Sequence, residues 1–249
     1  MQRITILGDG GLGRAVEAAV HERARGAGRP LDLLVLGRPS AGSHRPADLG
    51  EPDLVIEASR PEAVAANLEA AVDAGARRLI VATTGWSADR PRVEGLVRDA
   101  GAAAVAAPNF SLGVVLFGRL VESAVELFGS LDSFDPYLLE WHRRAKRDRP
   151  SGTALDLARR MADRHPRLAS AADLEVVSVR AGSSPGMHLV GFDAAGETVE
   201  LRLTARDRSA YAAGILAAAD WLERAPREPG LHAFDPIVDE LIARDPIAA

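Results

Sequence analysis

The chain has 249 residues, 47% hydrophobic and 26% charged, the balance of a folded globular protein with room for one large domain or two modest ones. A net charge of −5 argues against a general nucleic-acid binder, and the absence of cysteine excludes disulfides, thiolate nucleophiles and Cys-ligated metals. No apolar run approaches the ~18–20 residues of a membrane helix, and the chain enters a strand-like segment at Arg3 with no leader-like pattern, which reads as a cytoplasmic protein.

Up to residue 108, strand and helix patterns alternate. Apolar runs stand at Ile4–Gly8, Leu31–Leu36, Leu54–Ala58, Leu79–Ala82 and Ala102–Ala107. Ala-rich helical segments lie between them, such as Pro61–Ala74, where Pro61 suits a first helical turn. Continuous apolar strands separated by helices predict a parallel sheet covered on both faces, the doubly wound α/β class. The first strand runs into Gly8-Asp9-Gly10-Gly11-Leu12-Gly13, where Gly8, Gly10 and Gly13 satisfy G-x-G-x-x-G. Glycines there permit a tight turn and close backbone approach, and the helix start presents unpaired N–H groups to a pyrophosphate. Placed between a first strand and a first helix, the motif predicts a dinucleotide site of the Rossmann type. The second strand ends in Gly37-Arg38-Pro39-Ser40, with no acid for a ribose 2′-hydroxyl. Arg38 favours a 2′-phosphate and so NADPH, with NADH left open.

After Asn109 the pattern changes. A long helical stretch (Leu112–Phe128) precedes a strand-like Tyr137–Trp141, a basic loop and a helix from Thr153 to Arg164. Three β-type segments follow, Leu174–Val179, Met187–Phe192 and Thr198–Thr204, the last two flanking a hairpin turn at Asp193-Ala194-Ala195-Gly196. Strands in succession predict an open antiparallel or mixed sheet with one face covered. A final helix, Ser209–Arg224, and the tail return to the first domain. The expected organisation is 1–108 with 209–249 as a dinucleotide-binding domain and 109–208 as a second, α+β domain.

Of the 30 basic residues, 29 are arginine and one, Lys146, is lysine. Arginine keeps its proton, whereas lysine can release one, so a lone lysine in so biased a chain points to proton transfer. Lys146 lies within His142–Arg149, where five Arg or Lys residues fall in eight positions of an acidic protein. A solvated charge run is the bland reading of such a cluster. Against it stand His142, which trades a proton near neutral pH, and Lys146 four residues on. Pro150-Ser151-Gly152-Thr153 then opens a helix whose N–H groups can hold a carboxylate. The combination predicts a site that binds an acidic substrate and protonates it, with cationic crowding making Lys146 the better acid.

Glu140–Ala154 resembles the E-x-H-H-x-x-K-x-D-x-P-S-G-T-A signature of the dihydrodipicolinate reductases, matching nine of its ten fixed positions. Further pieces stand in the family's order. They are the glycine loop, Glu57–Glu62, Ala82-Thr83-Thr84-Gly85, Ala107–Val114, Arg180-Ala181-Gly182 and Arg208. The resemblance implies NAD(P)H-dependent reduction of 4-hydroxy-tetrahydrodipicolinate, a small dicarboxylate, in diaminopimelate and lysine biosynthesis. It implies a catalytic pair at His142 and Lys146, and substrate binding at Arg143, Ser151, Gly152 and Thr153. Coenzyme contacts fall on the glycine loop (Gly8, Asp9, Gly10, Gly11, Leu12, Gly13), Arg38, Ala82, Thr83, Thr84, Ala107, Pro108, Asn109 and Phe110. It makes 109–208 the substrate-binding and oligomerisation domain of a homo-oligomer, dimer or tetramer. The departures are specific: Arg143 replaces the second histidine of the signature, the glycine loop is one residue short and lacks its arginine, and Ala58 replaces an aromatic. They leave room for a related dehydrogenase acting on another imino or amino acid, or for a catalytically silent dinucleotide-binding protein.

His21, His44, His165, His188 and His232 show no metal-ligand spacing, and no metal site is expected. Trp86, Trp141 and Trp221 read as packing residues, and Ser111 as a helix N-cap.

Overall fold

The computed structural model describes residues 3–28, 30–39 and 43–244, so Ser40 and residues 245–249 of the expected first domain lie outside the described residues. The elements run β1 (Arg3–Leu7), α1 (Gly11–Ala27), β2 (Asp32–Leu36), β3 (Leu54–Glu57), α2 (Val64–Asp73), β4 (Arg78–Val81), α3 (Arg90–Asp99), β5 (Ala103–Ala106) and α4 (Leu112–Gly129). They continue with β6 (Asp135–His142), α5 (Gly152–Arg164), β7 (Glu175–Arg180), β8 (Met187–Ala194), β9 (Glu197–Thr204), α6 (Ser209–Arg224), β10 (Gly230–Ala233) and α7 (Phe234–Arg244). The chain divides into two compact units, one up to Leu112 and from Arg208 on, the other Gly113–Asp207.

In the first unit six parallel strands stand in the order β10-β5-β4-β3-β1-β2. Leu54, Val55, Ile56, Leu79, Ile80 and Val81 have no exposed surface, which explains why β3 and β4 read as unbroken apolar runs: both faces of the sheet are covered. β2 pairs on one side of β1 and β3 on the other, so the strand order reverses there and a crevice opens at the carboxyl ends. Helix α1 starts hard against β1, since a Cβ on Gly13 would lie 1.8 Å from the Gly8 carbonyl oxygen. Helix α6 packs on α1, and the tail adds β10 to the edge of the sheet beside β5.

The second unit holds a mixed sheet in the order β7-β6-β8-β9. β8 and β9 form the expected hairpin, closed by Ala194 opposite Glu197. A wholly antiparallel sheet is not what forms: β6 and β7 pair in parallel, from Tyr137↔Glu175 to His142↔Arg180. The reason is α5, which lies between them in the chain and supplies the crossover that parallel neighbours require. Phe117, Val121 and Val125 of α4 and Leu157 and Met161 of α5 pack with Leu138, Val190 and Phe192 of one sheet face. No described helix is long and apolar enough to cross a membrane.

Candidate active site

The crevice of the first unit is a cavity of about 690 Å³, bordered by Gly8–Gly10 after β1, Arg38 after β2 and Ser59 after β3. Gly8 has φ +121°, and a Cβ there would meet the Ala58 carbonyl oxygen at 2.4 Å, so only glycine fits this turn. Its N–H donates to Leu36 O (2.8 Å), tying the loop to the end of β2. Around Gly10 the direction a side chain would take is open, with no atom within 4 Å. Gly11, Leu12 and Gly13 form the first turn of α1. Open space before a helix N-terminus, at the reversal of a parallel sheet, fits the pyrophosphate of a dinucleotide.

One group beside this loop had a place in the sequence motifs but no role. The Arg208 guanidinium covers Gly11, where a Cβ would lie 2.6 Å from Nη1. The residues after β4 and β5 stand at the same carboxyl edge without bordering the cavity. Ala82 and Thr83 are buried, and the Thr83 carbonyl accepts from Trp86 Nε1 at 2.8 Å. Thr84, Ala107 and Pro108 follow these strands in loops, and Asn109 Oδ1 accepts from Ser111 N at 2.8 Å. The Phe110 ring is core, 4.9 Å from that of Phe234. Beneath the crevice, Glu57 Oε1 accepts from Ser59 N (3.2 Å) and Asn67 Nδ2 (3.1 Å). Burial pushes this carboxyl up, against the opposing pull of bonds from Ser59, Thr83 and Asn67.

In the second unit, β6 runs through His142, one residue past the expected strand. Its alternation turns Leu138, Glu140 and His142 inward and leaves Trp141 outside, 39% exposed, with Nε1 bonded to Ala181 O. Glu140 Oε1 accepts from Ser151 N (3.0 Å), Ser178 Oγ (2.5 Å) and Arg180 Nη2 (2.6 Å). Its Oε2 lies 3.1 Å from His142 Nε2 and 3.8 Å from His188 Nε2. The two imidazoles meet edge to face at 5.2 Å, and His188 Nε2 is 3.2 Å from Ser151 Oγ. His188 therefore belongs to this cluster, although its spacing in the sequence placed it apart. Glu140, His142 and His188 bring ligand-type atoms within 4.8 Å of one another. Arg180 supplies a positive charge at Glu140 Oε1, while Glu140 Oε2 and His142 Nε2 are buried without a hydrogen-bond partner among the described residues.

The basic loop turns at Arg143–Lys146, where Arg143 O accepts from Lys146 N, and is pinned by Arg144 N to Gly182 O. Arg143, Arg144, Arg147 and Arg149 are exposed, while Lys146 is half-buried with Nζ 3.0 Å from Asp148 Oδ2. The nearest charge to Lys146 is thus a carboxylate rather than the crowd of cations expected. The Arg149–Pro150 peptide is cis. Ser151 then caps α5, its Oγ accepting from Ala154 N, and Gly152 and Thr153 form the amino end of that helix. Ser151 is buried in this supporting role, whereas Gly152 is exposed. Burial alone would raise the Glu140 carboxyl, but the bonds from Ser151, Ser178 and Arg180 hold it down at about 2. Burial lowers His142, with the charges of Lys146 and Arg180 adding to it, and lowers His188 to about 4. Burial thus favours the neutral form of both imidazoles, with the Glu140 charge opposing it at each. His142 is further fixed by Gly186, where a Cβ would come within 3.0 Å of Cε1.

Residues 37–110 match the family model described as dihydrodipicolinate reductase, N-terminus, and residues 113–237 the one described as dihydrodipicolinate reductase, C-terminus. The glycine loop, with its shortened pattern, falls before the first match. A 4-hydroxy-tetrahydrodipicolinate reductase of Wolinella succinogenes is 36% identical over 199 residues, 73% of this chain and 75% of that one. One of Myxococcus xanthus is 34% identical over 241 residues, 90% and 84% of the two chains. In fold, the chain is similar to the dipicolinate-bound dihydrodipicolinate reductase of Paenisporosarcina sp. TG-14, with a TM-score of 0.69 at 19% identity over 94% of this chain and 98% of that one. With both halves of the family model matched in order and the signature loop built around Glu140, this chain belongs to the dihydrodipicolinate reductase family.

Proposed function

We propose that the protein reduces 4-hydroxy-tetrahydrodipicolinate to tetrahydrodipicolinate with a reduced nicotinamide nucleotide, a step of diaminopimelate and lysine biosynthesis in the cytoplasm. The observation that carries this reading is the buried Glu140–Arg180 pair, which holds His142, Lys146 and the amino end of α5 in one neighbourhood. One hydride and one proton enter the substrate and one water leaves. The coenzyme supplies the hydride. The crevice of the first unit has the room and the helix N-terminus that such a nucleotide needs, and Arg38 on its rim supports a 2′-phosphate and so NADPH.

In the second unit Gly152 and Thr153, at the start of α5, hold a substrate carboxylate, with Arg143 replacing the usual histidine as a permanent cation beside it. Ser151 fixes that helix end instead of binding directly. Lys146 delivers the proton and is reprotonated while Asp148 keeps it in place. His142, packed against His188 and Gly186 with its Nε2 3.1 Å from Glu140 Oε2, completes the acid–base pair. A homo-oligomer, dimer or tetramer, is supported by the uncovered face of the mixed sheet, where Trp141 (39%) and Val177 (42%) are exposed beside Leu139 and Val179.

The test is loss of reduced-nicotinamide absorbance with NADPH and NADH in parallel, on substrate made in situ by dihydrodipicolinate synthase. Turnover that collapses in Lys146→Ala is the expected result. A protein that binds the nucleotide yet leaves this substrate untouched while reducing another imino acid would overturn the assignment.

A further inference from the structure

Parallel-sheet dinucleotide sites hold the adenosine ribose with an acid at the end of the second strand. Here that position is Gly37, the residue directly after β2. The space its side chain would fill is taken by another residue: a Cβ on Gly37 would lie 2.8 Å from Asp9 Oδ2 and 3.4 Å from Oδ1. Asp9 reaches this spot because the glycine loop is bound to the end of β2 through Gly8 N and Leu36 O (2.8 Å), and Arg14 Nη1 holds the Asp9 carbonyl at 2.8 Å. The carboxylate is exposed on the cavity border, with no hydrogen bond or ion pair to any other described residue. The Arg38 guanidinium, on the same border, is equally without a partner among the described residues.

We propose that the Asp9 carboxylate, brought over Gly37 by the glycine loop, accepts hydrogen bonds from the adenosine-ribose hydroxyls and so makes NADH a working coenzyme beside NADPH. This rests on the reading of the crevice as the coenzyme site. The acid and Arg38 pull in opposite directions. A 2′-hydroxyl can donate to Asp9, whereas a 2′-phosphate is drawn to Arg38 and repelled by Asp9. The coenzyme balance is then set by two side chains from different strand ends.

The experiment measures the dissociation constants of NADH and NADPH for the whole protein by titration without substrate, in wild type, Asp9→Ala, Asp9→Asn and Asp9→Ala/Gly37→Asp. Loss of hydrogen bonds to a charged group predicts about 10- to 100-fold weaker NADH binding in Asp9→Ala, with NADPH unchanged or tighter. The space vacated by Asp9 admits a side chain at residue 37, so the double variant is expected to regain NADH binding. Asp9→Asn keeps the size and separates charge from shape. Equal loss of both nucleotides in Asp9→Ala, or a ratio shifted by less than about threefold, overturns the proposal. Failure of the wild type to bind either nucleotide overturns the reading of the crevice itself.

Discussion

Arg180 Nη2 stands 2.6 Å from Glu140 Oε1, and neither side chain reaches solvent. The same nitrogen bonds the Asp148 carbonyl at 2.6 Å, so one buried cation fixes both the strand that ends in His142 and the loop that carries Lys146. Such a pair costs much of its attraction in lost hydration, yet removing one partner strands the other charge inside the protein. Arg180→Met is therefore expected to destabilise the fold by about 3–5 kcal/mol in urea unfolding. Adding Glu140→Gln should recover part of the loss. A double variant no more stable than the single one would show that the pair's charge is not what matters.

The acid limb of stability should belong to this cluster. His188 is held down to about 4 from 6.5, by burial first and then by His142. Below pH 6.5 the unfolded chain takes up a proton that the native state refuses, so stability present above 6.5 drains away as the pH falls toward 4. His188 alone is worth on the order of 3 kcal/mol over that span. Glu140, at about 2 against 4.5, adds a second loss at lower pH with the same sign. Urea midpoints from about pH 7.5 to about pH 4.5 should fall steadily in the wild type and more shallowly in His188→Gln. Equal slopes would remove His188 from the account.

Lys146 is the one cation of its loop that is drawn in from solvent. A positioned proton donor is worth about 10²- to 10⁴-fold, and Lys146→Ala is expected to lose that much in kcat. Lys146→Arg keeps the charge and the partner Asp148 but does not release a proton, so it should stay defective while KM recovers. Near-normal kcat in the arginine variant would make Lys146 a binding group only.

Much of this fold is visible in the chain because burial writes it there. β3 and β4 are covered on both faces and so are continuous apolar runs, and Gly8 and Gly13 stand where no Cβ would fit. β10 is different: Gly230–Ala233 is four residues at a sheet edge, only partly buried, and owes its form to pairing with β5 rather than to its own pattern. The site divides the same way. His142, Lys146 and the start of α5 lie within one segment and are legible together. Arg180 and His188 reach Glu140 across 40 and 48 residues of chain, and Asp9 reaches Gly37 across 28, contacts that only the pairing of strands creates. A buried acid on an inward strand position demands a counter-charge, which was the signal for Arg180.

Arg208 tests the crevice from its other end. Its guanidinium lies over Gly11, at the first turn of α1, where the pyrophosphate of a dinucleotide would meet the helix N-terminus. The loop from Gly8 to Gly13 has no arginine of its own, and Arg208 brings a positive charge to it from the start of α6. Pyrophosphate is common to NADH and NADPH, so Arg208→Ala should weaken both by one factor, about 10- to 100-fold, where Asp9→Ala changes their ratio. Because the Arg208 carbonyl also accepts from Tyr211 N and Ala212 N through the main chain, the side chain can be removed without unmaking the helix start. Thermal unfolding of the variant should then stay near that of the wild type. Unequal losses for the two nucleotides would place Arg208 at the ribose end instead, and an unchanged affinity for both would leave it a packing residue over Gly11.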